Sequence, residues 1–218
     1  MTTQVHLVDR RPLAHFRPIQ YLGNKTRLLS DIRSAMQNLA SRGAPVADLF
    51  SGTSVVARAL SIDHPVTAVD VQAYAEVLGR AMLTSGRAEI DCIDQEQLVS
   101  DAGRIGEELR SSFGAQLEDE ENALRSLEHG DATPMAQIIN RGSLAAAAQT
   151  GEQLSAAVRP YLEDNGKDAT ATIMFGGVYF SYEQAVLLDA LAGAICHQPE
   201  GARPLLNRPL KKAASTRV

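Results

Sequence analysis

Four residues of this chain stand at intervals that suit the binding of a nucleoside. Asp48 and Phe50 close the apolar run "APVADLF", Gly52 sits in the turn behind it, and Asp70 follows a second apolar run, "HPVTAV". A glycine turn after a strand lets backbone approach a ligand, and an acid after the next strand can accept hydrogen bonds from both ribose hydroxyls. The interval from Gly52 to Asp70 is close to the roughly 20 residues expected between glycine turn and ribose acid in a βαβ unit. A dinucleotide fingerprint needs G-x-G-x-x-G, and "SGTSVVA" offers Gly52 alone, so NAD is the weaker candidate. Taken by itself, Asp70 also reads as a solvated acid at a strand end.

A second stretch, "IQYLGNKTRLL", invites a phosphate reading that fails on inspection. A P-loop requires G-x-x-x-x-G-K-[ST] after a strand. Here Asn24 occupies the place of the second glycine, and the run His15, Phe16, Arg17, Pro18 holds no first glycine and is broken by proline. The histidines at 6, 15, 64, 129 and 197 are scattered, with no nucleophile pattern beside them. Cys92 and Cys196 are isolated thiols without metal spacing, expected to be buried and reduced in a cytoplasmic protein. The sequence thus offers no catalytic constellation and no metal site of its own.

The elements that must position the nucleoside group are legible in the hydrophobic period. From Lys25 to Leu39, Leu28, Leu29, Ile32, Met36 and Leu39 share one helical face, with Asn24 at the N-cap position. Two short apolar runs ending near Asp48 and Asp70 alternate with helical "VVARAL" and "YAEVLGRAML", the pattern of a parallel α/β sheet. From about Glu89 to Asn165 the texture becomes Glu, Gln, Ala and Leu-rich helix, with breaks near Gly130 and Gly142. "ATATIMFGGVYFS" is β-prone up to Gly176 and Gly177, and Tyr182 to Ile195 is helical again.

Composition bounds the class. The chain has 218 residues, 44% hydrophobic and 22% charged, which suits one sizeable core or a core with an appended lobe. No apolar run approaches the roughly 18 residues of a membrane span, and no apolar signal core follows Arg10 and Arg11. The net charge of −5 hides a segregation. Basic residues crowd both ends (Arg10, Arg11, Arg17, Lys25, Arg27 and Arg33; then Arg203, Arg208, Lys211, Lys212 and Arg217), and acids concentrate between Asp91 and Asp131. The basic ends suit a polyanion as well as plain solvation.

Three segments in order, "QYLGNKTRLLSDI", "VADLFSGTSVVARAL" and "VTAVDVQAYAEVLGRAM", resemble the opening of D12-class, Dam-like adenine-specific DNA methyltransferases. "FGGVYFSYEQAVLLDAL" is similar to a segment that many of these enzymes carry ahead of the catalytic motif. The resemblance implies a partial Rossmann-like, S-adenosylmethionine-dependent methyltransferase fold of α/β class with a helical insertion. It implies S-adenosyl-L-methionine as cofactor and double-stranded DNA as partner. It places Tyr21, Gly23, Lys25, Asp48, Phe50, Ser51, Gly52, Asp70 and Val71 around the cofactor. A helix N-terminus with small residues and Lys25 would suit the methionine carboxylate, "DLFSGTS" would wrap methionine and sugar, and Asp70 would take the ribose. The family usually has glycine where Ser54 stands.

On this resemblance the chain divides into a polar leader (1–18), a cofactor-binding α/β core (19–88), a helical insertion or lobe (89–170), and the FGG segment with a C-terminal helix (171–218). These enzymes methylate through an Asp/Asn-Pro-Pro-Tyr/Phe loop that holds the amine of a flipped adenine, and no such tetrapeptide occurs here. The expected function is therefore the S-adenosylmethionine-binding portion of an adenine-N6 methyltransferase of restriction-modification or phage and mobile-element type, truncated before its catalytic motif and inactive alone. A C-terminal half supplied by another chain would complete it. The alternative is a non-catalytic S-adenosylmethionine- or DNA-binding interaction module. In the truncated reading the strand from Ala44 to Phe50 becomes an uncovered sheet edge unless other residues or a second chain shield it.

Overall fold

The computed structural model describes residues 2–5, 25–83, 87–163 and 168–215, which divide into two compact units, Met1–Ile93 with Gln198–Val218, and Asp94–His197.

The first unit is built on a three-stranded sheet of order β1-β3-β2, formed by β1 (Thr2–Val5), β2 (Val46–Leu49) and β3 (Val66–Val69). β2 and β3 run parallel, Val46 opposite Val66 and Leu49 opposite Val69, while β1 runs antiparallel along the other side of β3. Parallel neighbours need a crossover, and here it contains the short helix α2 (Val55–Leu60). This βαβ unit is the α/β element that the alternation of apolar runs predicts, although the described chain as a whole is mostly helical. Among the described strands β2 has a partner on one side only.

The same unit contains α1 (Leu29–Leu39), α3 (Ala73–Leu83), α4 (Arg87–Asp91) and α12 (Arg203–Ser215), the last packed on α3. A single 3-10 turn, Lys25–Leu28, leads into α1. The apolar face of α1 is narrower than its spacing predicts. Ile32 and Met36 pack against the core of Ala57, Leu60, Val66 and Leu83, whereas Leu28 and Leu39 are exposed. Arg33 supplies the other fastening, its Nη2 lying 2.8 Å from Asp63 Oδ2 and holding that carboxyl below the usual carboxylate range.

The second unit is all helical. It comprises α5 (Gln95–Ser112), α6 (Gly114–Glu128), α7 (Thr133–Arg141), α8 (Leu144–Gln149), α9 (Arg159–Glu163), α10 (Thr170–Phe175) and α11 (Tyr182–Cys196). Phe113, Leu144, Val158, Ile173, Tyr182 and Val186 are fully or almost fully buried in its core. α5 and α11 approach closely because small residues meet at the contact. A Cβ on Gly106 would stand 3.7 Å from that of Ala190, and one on Gly193 would stand 3.0 Å from Ile105. Gly130 and Gly142, at the expected breaks, take φ of +87° and +78°.

The β-prone reading of "ATATIMF" is corrected by the structure, in which residues 170–175 form α10. β-branched propensity is overridden by a buried acid. Asp189 of α11 accepts hydrogen bonds from the Ala171 and Thr172 amides and the Thr172 hydroxyl, all at 2.8 Å. These are amides that the first turn of a helix leaves unpaired, so a carboxylate fixed there favours helix over strand. The thiols are a second correction, since Cys92 and Cys196 are both exposed, just beyond α4 and at the last position of α11.

Candidate functional site

The turn that leaves β2 is conformationally unusual. Within five residues Phe50, Gly52 and Ser54 all take left-handed φ, at 58°, 51° and 57°. Glycine adopts this region without strain, whereas side-chain-bearing residues pay for it and hold it only where the surroundings impose it. Two hydrogen bonds fix the turn from within and from β3: the Ser54 amide donates to Ser51 O at 2.8 Å and the Ser51 amide to Val69 O at 3.0 Å. The Ser54 hydroxyl is fully buried and lies where a Cβ on Gly79 would come within 3.2 Å of it. A glycine at position 79 is what makes room for serine at position 54.

Asp70 joins the two strand ends. Its Oδ2 accepts the Gly52 amide at 2.8 Å and its Oδ1 accepts the Gln72 amide at 2.9 Å. These amides, Gln72 first and Gly52 next, hold its carboxyl below the ordinary carboxylate range. A carboxylate has about four lone-pair directions, so both oxygens can accept a further donor. Beside it opens a cavity of ≈ 210 Å³, lined by Ser51, Ala68, Asp70, Val71, Gln72, Glu76 and Gly79 among others. Pockets that enclose a whole drug-sized ligand run from about 300 Å³ upward. This one has room for part of such a ligand.

The remaining candidates fall into two groups. Asp48 faces α2, its Oδ2 accepting the Ala57 amide at 3.0 Å. Burial pushes its carboxyl up, partly offset by the Ala57 amide and the Lys25 charge, with Asp70 adding a small upward push. Asp48 thus secures α2 to β2, and Lys25 is close enough to feel its charge. Phe50 and Val71, at 76% and 87% exposure, flank the turn with apolar surface open to solvent. Tyr21 and Gly23 lie outside the described residues.

Spacing alone did not single out Gln72, Glu76 and Gly79, which the cavity brings in. Their signal was present in the sequence, because positions 72, 76 and 79 recur at helical intervals along the start of α3, just behind Asp70. Glu76 is held by Arg80, with Nη2 to Oε1 at 3.0 Å.

The paired glycines of the FGG segment belong to the second unit and serve packing there. A Cβ on Gly176 would fall 2.6 Å from Thr172 O and 2.8 Å from the Tyr182 ring, and Gly177 has φ +74° with the Tyr182 hydroxyl 3.1 Å from its Cβ position. Tyr182 is fully buried and Phe180 partly so. Glu120 completes the arrangement by accepting the Tyr182 amide with both oxygens, at 2.9 and 2.8 Å. Among the described residues no group of three or more His, Cys, Asp or Glu could hold a metal ion, and no helix is long and apolar enough to cross a membrane.

A glycine turn tied to an acid after the next parallel strand is an arrangement that α/β nucleotide-binding proteins use. The family model for D12 class N6 adenine-specific DNA methyltransferase matches residues 21–139, more than half of the sequence, and the chain belongs to that family. Methyltransferases of this kind generally draw the methyl group from S-adenosylmethionine and act on DNA. No curated protein and no solved structure matches the chain.

Proposed function

We propose that this chain is the S-adenosylmethionine-binding portion of an adenine-N6 DNA methyltransferase, with Asp70 as the ribose acceptor at the cavity beside the Phe50–Ser54 turn. The observation that carries this reading is the double tie of Asp70 to the Gly52 and Gln72 amides. It sets a carboxylate, kept ionised, at the lip of a cavity where a vicinal diol could donate to it. Ser51 and Gly52 would border the sugar, and Val71, exposed just beyond Asp70, would lie against the purine. Lys25 would offer its charge to the methionine carboxylate, with Tyr21 and Gly23 ahead of it in the chain. The cofactor supplies a methyl group made electrophilic by its sulfonium. The residues described here bind and orient, and the absence of an Asp/Asn-Pro-Pro-Tyr/Phe tetrapeptide leaves the target amine without its holder.

A fold continuing the β2–β3 pair into a Rossmann-like sheet would place further strands beside β2, whose outer side has no partner among the described strands. A C-terminal half, on this or another chain, would fill that role, and a restriction-modification or mobile-element setting would suit such an enzyme. Calorimetry with S-adenosylhomocysteine tests the cofactor reading. The wild-type chain should bind at one site, and Asp70→Ala should lose on the order of 1 to 3 kcal/mol, the range for a hydrogen-bond partner that is charged. Equal affinity for both proteins would remove Asp70 from the site, and no binding by either would remove the site.

A further inference from the structure

The two units carry opposite charge. Asp94–His197 holds six basic and seventeen acidic side chains, net −11, whereas the other unit holds fifteen basic and nine acidic, net +6. A unit this negative repels a phosphate backbone. It nevertheless exposes an apolar groove of ≈ 240 Å³ between α6, α7 and the turn that precedes α11. Leu124 and Ile139 form its helical walls at 49% and 56% exposure, and Val178 and Tyr179 its rim at 49% and 73%.

The rim is stiff. The Tyr179 and Phe180 amides both donate to Phe175 O, at 2.9 and 3.2 Å, the Gly177 amide donates to Phe180 O at 2.9 Å, and Phe175 meets Tyr179 edge-on at 6.0 Å. A surface held in place before binding spends little entropy when a partner arrives. α6, which forms one wall of the groove, carries five acidic side chains against one basic, Arg125. Glu121 and Glu128 lie one turn either side of Leu124 on α6. Glu121 is paired with Arg125, Glu128 makes no ion pair among the described residues, and the turn from Gly176 to Ser181 has no charged residue.

We propose that this groove docks a cationic amphipathic segment of a protein partner, with apolar side chains seated between Leu124, Ile139 and Tyr179 and lysines or arginines answering Glu128 and the negative unit around it. Such a helix-in-groove mode takes anchors at intervals of three and four residues. The opposed charge would speed encounter and make binding sensitive to salt.

The test uses the whole chain and a fluorescein-labelled helical peptide of leucines on one face and lysines on the other, read by anisotropy. An acidic peptide with glutamate for lysine, and a duplex DNA, serve as the other probes. Binding of the lysine peptide should weaken at least tenfold in Leu124→Glu and in Tyr179→Ala, several-fold in Glu128→Lys, and with rising salt. The acidic peptide should bind at least tenfold more weakly. Tyr179→Ala removes an exposed ring and leaves the core intact, so it answers the question even if Leu124→Glu misfolds by circular dichroism. Absence of binding, equal binding of the two peptides, or unchanged binding in Tyr179→Ala and Glu128→Lys would overturn the proposal. So would loss of duplex binding, or of self-association in sedimentation, as the main effect of these variants.

Discussion

Asp70 does two things with one carboxylate: it fixes the backbone of the turn after β2 and it faces the cavity. The first has a consequence for stability that needs no ligand. Because the Gln72 and Gly52 amides lower its folded pKa, the stabilisation is complete above the unfolded carboxylate value, about 3.9, and is lost as pH falls through the folded value. Urea midpoints of wild type and Asp70→Asn should therefore differ at pH 7 and draw together below about pH 4. A gap that stays constant across that range would mean that the ionised form does not hold the turn. The position of Asp70 after a short apolar run, at that interval from Gly52, was legible in the sequence, where a solvated strand-end acid fits the same pattern. Its bonds to two amides were not, because spacing gives no direction to a side chain.

At the scale of elements, the FGG segment shows where sequence reasoning failed and why. Thr170, Thr172 and Ile173 favour strand locally, but the acid that caps their first turn, Asp189, comes from α11, far along the chain. No local window contains it. The glycines were visible, but their cause was not: Gly176 is small because the Tyr182 ring and Thr172 O crowd it. Gly176→Ala should cost about 1 to 3 kcal/mol by overpacking, read as a lowered urea midpoint, and an unchanged midpoint would contradict crowding by Thr172 O and the Tyr182 ring. α2, α3 and α11, by contrast, follow from hydrophobic period, the breaks at Gly130 and Gly142 fall where the sequence puts them, and β2 and β3 follow from their apolar runs. β2 also carries an expectation of its own, since its outer side is unpaired among the described strands and Leu49 there is exposed. Such edges pair with other chains unless blunted, often by lysine. Sedimentation should show concentration-dependent association of the wild-type chain that Leu49→Lys reduces, and a wild-type monomer at all concentrations would contradict this.

At the scale of the molecule, the cavity beside Asp70 lies in the basic unit and an apolar groove in the acidic one. The charge of each was written in the sequence as basic ends and an acidic middle. The family was legible only through three ordered motifs, and the sequence holds no Asp/Asn-Pro-Pro-Tyr/Phe tetrapeptide. The most direct test follows the methyl group. Purified chain is incubated with duplex DNA and S-adenosylmethionine labelled in its methyl group, and the label is then counted in protein-bound and DNA fractions. The account predicts that the chain retains the cofactor at one site while the DNA stays unlabelled. Label transferred to adenine, or a chain that retains no cofactor, would contradict it.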